Sequence, residues 1–333
     1  MNQHTVTIED VAAAAGVSVA TVSRALRDLP NVAPSTREKV RAVAAELSYV
    51  SNPSASRLAA GRTGTVAVVV PVFDAWYFSS VVAGIEAVLK AVNVDLLLYA
   101  VGNEADRVSF FAGRGAWWQR SDALVMVDVA LGEESAQRLA SSGARIVTVS
   151  GETEHFSSVS LDEHAAAATA TQHLIDRGHT RIGVLTGESL SAGFRVPLVR
   201  LEGFRHALRT AGLEVDPSLE CSGNFSMEGG AEAMAALLDG PNPPTAVFAM
   251  SDEMAFGAIA EVRSRGLASP QDVAIIGFDD HQMAELMGLS TIRQPVETVG
   301  ELAGKAVLAT IQKTAAPISH QIVETQLMVR STT

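Results

Sequence analysis

The stretch Ser18-Val19-Ala20-Thr21-Val22-Ser23-Arg24 holds residue types that together suit one task. Hydroxyls at Ser18, Thr21 and Ser23 match phosphate oxygens, and the small apolar Val19 and Ala20 match thymine methyls. Arg24 can grip a guanine edge with two hydrogen bonds. A second set is scattered through the chain. Asp74, Asp128, Ser150, Ser251 and Asp279 stand at the ends of apolar runs, with Tyr77, Phe78 and Phe225 near the adjoining loops. Arg200 and Asp279 offer paired hydrogen bonds to adjacent hydroxyls, while Phe225 and Trp76 offer flat faces to C–H patches, which is sugar-binding chemistry. Each also has a plain structural use: Asp279 to cap a turn, Arg200 to pair with a surface acid, the aromatics to fill a core.

For the first set to act, a short helix must present it. Thr7 can cap a first helix whose apolar positions Ile8, Val11, Ala12 and Ala15 recur at helical spacing. Gly16 supplies the positive φ of a sharp corner, Val17 plugs that corner, and Ser18 caps a second helix with Val22 and Leu26 facing inward. A third helix is expected from Ser35, where Ser35-Thr36-Arg37-Glu38 reads as a capping box and Val40, Val43, Ala44 and Leu47 form the buried stripe. Three short helices around a glycine corner describe a helix-turn-helix whose second helix meets DNA. Residues 51–64 read as a linker. Between Pro53 and Gly61 it has room for about two helical turns, too few to persist without a partner. Leu58 there is either an exposed accident or an apolar wedge for a minor-groove base step.

The second set requires a different scaffold. Past Gly64 the apolar runs Val66–Val72, Asp95–Val101, Ala123–Val129, Arg145–Ser150, Val159–Leu161, Ile182–Thr186, Ala246–Met250 and Val273–Phe278 alternate with helical stretches at 78–92, 163–177, 199–211, 253–265 and 298–313. Most of the runs lack polar alternation, as parallel strands covered on both faces do. This is a doubly wound α/β body, long enough for two sheets, and ligands of such sheets bind beyond the strands' carboxyl ends.

Composition narrows the classes. With 333 residues, 47% apolar and 19% charged, the chain is neither disordered nor a coiled-coil rod, and it suffices for two or three domains of roughly 100–200 residues. No apolar run approaches the roughly 18–20 residues of a membrane span, and Met1 to Gly16 lacks the pattern of a signal peptide, so a cytoplasmic protein without membrane contact is expected. Cys221 is the only cysteine, which excludes an intrachain disulfide and a multi-cysteine metal site. The net charge of -12 at first opposes nucleic acid. Residues 1–62, however, hold seven Lys/Arg against five acids, so a +2 front end precedes a -14 body.

Enzyme motifs fail. Gly300-Glu301-Leu302-Ala303-Gly304-Lys305-Ala306 is one residue short of a phosphate loop and lacks its Ser/Thr, and Gly187-Glu188-Ser189-Leu190-Ser191 lacks the last glycine of a nucleophile elbow. No glycine fingerprint follows a strand, no histidine pair has metalloprotease spacing, and His179 reads as structural. Neither catalysis nor a cofactor is expected.

The pattern Thr-Ile-x-Asp-Val-Ala-x-x-Ala-Gly-Val-Ser-x-x-Thr-Val-Ser-Arg-x-Leu from Thr7 resembles the DNA-binding headpiece of the lactose repressor and galactose repressor family. It is followed by Thr36-Arg37-Glu38-Lys39-Val40 and Leu47-x-Tyr49. The likeness continues through Arg177-Gly178-His179-Thr180-Arg181-Ile182-Gly183, Arg200-Leu201-Glu202-Gly203-Phe204, Ser251-Asp252-Glu253-Met254-Ala255 and Gly277-Phe278-Asp279-Asp280. It implies a helix-turn-helix headpiece at 1–50, a hinge at 51–63, and a periplasmic-binding-protein-like body at 64–333 that binds effector and dimerises. The body would have two doubly wound lobes, one about 64–161 and 291–320, the other about 162–290 and 321–333.

On this resemblance Ser18, Val19, Ala20, Thr21, Ser23, Arg24, Asn52, Ala55 and Leu58 would meet operator DNA. Phe73, Tyr77, Phe78, Ser150, Arg200, Phe225, Ser251 and Asp279 would meet a small effector. Ser251 stands where many members have Asn, and Trp76 where proline is frequent. The implied activity is that of a homodimeric repressor on a pseudo-palindromic operator, tuned by a ligand, foremost a sugar. A nucleobase or phosphorylated metabolite is the alternative within the class, and a transport-type binding protein the alternative outside it.

Overall fold

The computed structural model describes residues 6–49, 62–112, 115–151, 153–187, 195–312 and 317–333, and the chain divides into two compact units, Met1–Thr63 and Gly64–Thr333. In the small unit, α1 (Ile8–Ala15), α2 (Val19–Leu26) and α3 (Pro34–Glu46) close on Val11, Ala15, Val22, Ala25 and Val40, all fully buried. Thr7 and Asp10 cap α1 reciprocally, the Thr7 amide donating to Asp10 Oδ2 at 2.8 Å. Gly16 has φ 66°, and the amide of Val17 donates back to the Ala12 carbonyl, so the chain turns without leaving the carbonyl unmet. Ser18 caps α2 by accepting from the Thr21 amide at 3.2 Å.

The expected capping box at Ser35 does not form. Pro34, whose ring presets a helical φ and which has no amide to satisfy, occupies the first helical position, so Ser35 already lies inside the first turn and Ala33 precedes the helix without a side-chain cap. Ser18→Ala should cost α2 about 1 kcal/mol. Amide exchange at Val22 and Ala25 then runs about fivefold faster, and unchanged exchange would remove the cap from the account.

The large unit alternates strands and helices: β1 (Thr65–Val70), α4 (Trp76–Lys90), β2 (Asp95–Ala100), α5 (Glu104–Phe111), α6 (Ala116–Arg120), β3 (Ala123–Val127), α7 (Glu133–Ser141), β4 (Ile146–Val149), β5 (Ser157–Leu161) and α8 (Glu163–Asp176). It continues with β6 (Ile182–Thr186), α9 (Val196–Thr210), β7 (Glu220–Ser222), α10 (Met227–Asp239), β8 (Ala246–Ala249), α11 (Asp252–Ser264), β9 (Ala274–Asp279), α12 (Ala284–Met287), β10 (Ser290–Arg293), α13 (Val296–Gln312), β11 (His320–Val323) and β12 (Gln326–Met328).

Among the described residues the strands form two six-stranded sheets, ordered β11-β5-β4-β3-β1-β2 and β12-β10-β9-β8-β6-β7. Every pairing is parallel except β10 with β12. The central strands are apolar throughout because helices cover both faces: Val66 to Val70 and Ala123 to Val127 are all buried. Each sheet therefore reverses its winding once, between β1 and β3 in the first and between β6 and β8 in the second, and a crevice opens at each reversal.

The chain passes between the sheets at 161–163, 293–296 and 323–326. Two of the expected lobe boundaries shift by a few residues. Ser290, Thr291, Ile292 and Arg293 pair with β9 in the second sheet, and His320 to Val323 pair with β5 in the first. Polar Ser290 and Thr291 are fully buried there because Thr332 accepts the Ser290 amide and Asp252 accepts the Thr291 hydroxyl. Among the described residues no helix is long and apolar enough to cross a membrane.

Candidate functional site

Beyond the carboxyl ends of β1, β3, β8 and β9 lies a cavity of about 550 Å³, within the roughly 300–1,000 Å³ usual for small-molecule sites. Both sheets line it. Tyr77 and Phe78 come from the first turn of α4, Asp128 from the end of β3, Arg200 from α9, Phe225 from the loop before α10, Ser251 from the end of β8, and Asp279 from the end of β9.

Asp128 has φ 52°, a conformation that turns its carboxylate back toward the crevice. The Tyr77 and Ser150 hydroxyls, hydrogen-bonded to each other at 3.3 Å, lie beside that carboxylate. Burial, then the nearby Glu163 charge, push its pKa up to about 7. Burial likewise takes the Tyr77 phenol well above its usual value.

Arg200 is 4% exposed and held within the second sheet's layer. Its Nε donates to Glu163 Oε2 at 2.7 Å, its Nη1 to the Met250 carbonyl at 2.6 Å, and its guanidinium lies 3.6 Å over the Phe278 ring. Burial alone would pull its pKa down, and the charge and hydrogen bond of Glu163 carry it above the ordinary value, so the cation persists.

Asp279, at φ 135°, accepts from Gln294 Nε2 at 2.5 Å and from the Asp252 amide at 3.3 Å. Asp252 beneath it accepts the Thr291 hydroxyl at 2.6 Å and the His281 amide at 2.8 Å. Burial and then the Asp252 charge raise Asp279 well above the usual carboxylate range. Asp280 faces the other way and is clamped by Arg293 and Arg330, each at 2.6 Å.

Phe225, at φ 52°, lays its ring against Gly187, where a Cβ would collide with it; the missing side chain admits the aromatic to the cavity wall. Ser251 is buried with its hydroxyl accepting the Met254 amide at 3.2 Å, so it caps α11 as well as lining the cleft. Ser150 sits behind Tyr77. Phe73 is 63% exposed and outside the wall, and Trp76 packs on His281 with ring centroids 5.0 Å apart. Sequence reasoning missed Asn224, Glu228, Glu253 and Gln294 in the wall and Glu163 behind it. Glu228 and Glu253 occupy first turns, where acids read as ordinary helix-start residues, and Gln294 lies in a crossing that no local pattern announces.

In the small unit Ser18, Val19, Ala20 and Arg24 are exposed on one face of α2, with Thr21 and Ser23 half-buried. The hydroxyls are partly committed: Ser18 and Thr21 are hydrogen-bonded at 2.9 Å, Ser23 Oγ accepts from Arg27 at 2.8 Å, and Arg24 reaches the Pro30 carbonyl at 3.4 Å. Asn52, Ala55, Leu58 and the expected 53–60 helix lie outside the described residues.

A helix-turn-helix unit followed in the chain by a two-sheet body with a cleft at its reversals is the plan of a DNA-binding transcriptional regulator. Residues 7–52 match the model of bacterial regulatory proteins, lacI family, and residues 171–333 match that of a periplasmic binding protein-like domain. The HTH-type transcriptional regulator CelR of Thermobifida fusca is 34% identical, with 97% of each chain covered. The HTH-type transcriptional repressor CytR of Escherichia coli (strain K12) is 31% identical over 98% of this chain and 96% of its own. Among solved structures, the lac repressor dimer bound to operator and the anti-inducer ONPF superimposes with TM-score 0.85 at 26% identity over 98% of each chain. The CelR–cellobiose complex superimposes with TM-score 0.71 at 30% identity, covering 98% of this chain and 100% of that one. This chain belongs to the LacI family. Its relatives are transcriptional regulators and not enzymes, and it is a regulator likewise.

Proposed function

We propose that the chain is a cytoplasmic homodimeric repressor whose α2 helices read the two half-sites of a pseudo-palindromic operator, and that a sugar in the cleft of residues 64–333 tunes its hold on DNA. In this reading residues 51–63 are the hinge, Leu58 wedges a minor-groove step, and the body supplies both the effector site and the dimer contact. The observation that carries the effector class is the cleft itself. Carboxylates at Asp128 and Asp279 and the flat faces of Tyr77 and Phe225 meet in one cavity, which is what a polyhydroxylated ring with apolar C–H faces requires. A phosphorylated metabolite fits poorly. Its charge would meet Asp74, Asp128, Glu228, Glu253 and Asp279, and the one arginine among the described lining residues is already paired with Glu163.

The test has two arms on the full chain. Selection from random duplexes should enrich a two-fold symmetric site, and a thermal-shift screen of neutral sugars, nucleosides and sugar phosphates should single out sugars. Absence of an enriched site would remove the operator reading, and a sugar phosphate or nucleoside as the strongest stabiliser would remove the sugar.

A further inference from the structure

Two buried acceptor oxygens in the cleft wall have no hydrogen-bond partner among the described residues: Asp128 Oδ1 and Gln294 Oε1, in side chains 6% and 3% exposed. Both line the cavity, Asp128 from the first sheet and Gln294 from the second crossing. An unmet buried acceptor is costly, so the occupant of this cavity must bring donors to both. Charge sharpens the requirement. Among the described residues the wall carries five acidic side chains and one arginine, whose guanidinium is held by a 2.7 Å bond to Glu163 and a 2.6 Å bond to the Met250 carbonyl. Among the described residues no three metal-ligating side chains gather.

Resting on the sugar reading above, we propose that the effector is a polyhydroxylated ring bearing a protonated amine, with the ammonium donating to Asp128 Oδ1 and a hydroxyl donating to Gln294 Oε1. The aromatic faces of Tyr77 and Phe225 add cation–π attraction to the same ligand. A neutral sugar satisfies the oxygens but leaves an ionised Asp128 without a counter-charge, and an anionic one opposes it.

The pH dependence follows from the groups around Asp128. Tyr77 faces it from α4, Ser150 from the end of β4, Glu163 from α8 and Arg200 from α9, with Asp279 across the cavity on β9. The Glu163–Arg200 pair is closed, and Tyr77, raised further above 10, stays a neutral phenol near pH 7. Asp128, raised to about 7, must be ionised to pair with an ammonium. Amine affinity is therefore full above pH 7 and is lost as pH falls through it, about tenfold between pH 8 and pH 6.

Calorimetry on the full chain with matched hexoses tests this: 6-amino-6-deoxyglucose, glucose and glucose 6-phosphate, and the same three from galactose. The alkyl amine, with a lysine-like pKa of about 10, stays charged across the window. In at least one series the amine should bind at least tenfold more tightly than the parent at pH 8 and lose that advantage at pH 6. Asp128→Asn should equalise the affinities of amine and parent. Should the variant not fold, the wild-type pH profile decides alone. A parent sugar that binds as tightly as its amine at pH 8, or an amine affinity flat from pH 8 to 6, overturns the amine and leaves the sugar reading standing. A phosphate that binds best, or no binding in either series, overturns both.

Discussion

Arg200→Ala should lower the stability of residues 64–333 by about 3–5 kcal/mol, the usual cost of leaving one member of a buried ion pair behind. The partner left is Glu163, 8% exposed, and the Met250 carbonyl loses its donor as well. For a body of this size the loss corresponds to a melting point lower by on the order of ten degrees. The control is the double variant Arg200→Met with Glu163→Gln, which removes both charges while keeping bulk over Phe278. It should recover most of the loss, since a buried pair is worth little against neutral side chains of similar volume. Chemical denaturation of the single and double variants measures both. A single variant within 1 kcal/mol of the parent would mean that the pair is solvated. This consequence differs from that of a simple ligand contact: Arg200 cannot be removed to silence the effector without also loosening the scaffold.

Asp279→Ala, by contrast, should strike the effector hardest. On the proposed function its carboxyl group meets ligand hydroxyls while tied to Gln294 and the Asp252 amide, so its removal costs two hydrogen bonds to ligand and frees Gln294 to swing. At about 0.5–1.5 kcal/mol for each such bond, affinity should fall by roughly 5- to 150-fold. The small unit shares no side chain with this site, so affinity for operator should stay within a few-fold. Titrating effector against operator-bound protein, with the same variant's operator affinity beside it, reads both quantities. Loss of operator binding together with effector binding would place Asp279 in the fold and not in recognition.

How far the sequence disclosed these features depends on the range of the interaction. Thr7, Gly16 and Ser18 act on residues three or four positions away, and their roles were legible from spacing. The start of α3 was misplaced only because Pro34 took the first helical position ahead of Ser35. Central strands announced themselves as apolar runs. The strands Glu220–Ser222 and His320–Val323 did not, being short and incompletely buried at sheet edges, and Ser290–Arg293 hid its burial behind hydroxyls whose partners lie 39 and 42 residues away. The site divides in the same manner. Asp128 and Asp279 could be found because they end strands, and Arg200 through its resemblance to family members. Glu163 and Gln294 acquire meaning only when chain crossings bring them to Arg200 and Asp279, 37 and 15 residues away.

Those crossings also decide where the body can be cut. The first sheet's layer is assembled from residues up to 161, then α13 and β11, and the second from the intervening stretch with β10 and β12. A stop codon after β9 would leave the second sheet without β10 and β12, and it would strip α13 from the first, exposing Val81 and Ile85 on α4. Neither half is an inheritable module. Recombination that exchanges specificity between relatives must swap the whole of 64–333 or join it at three matched points, and a fragment trimmed to one half cannot serve as a stand-alone sensor.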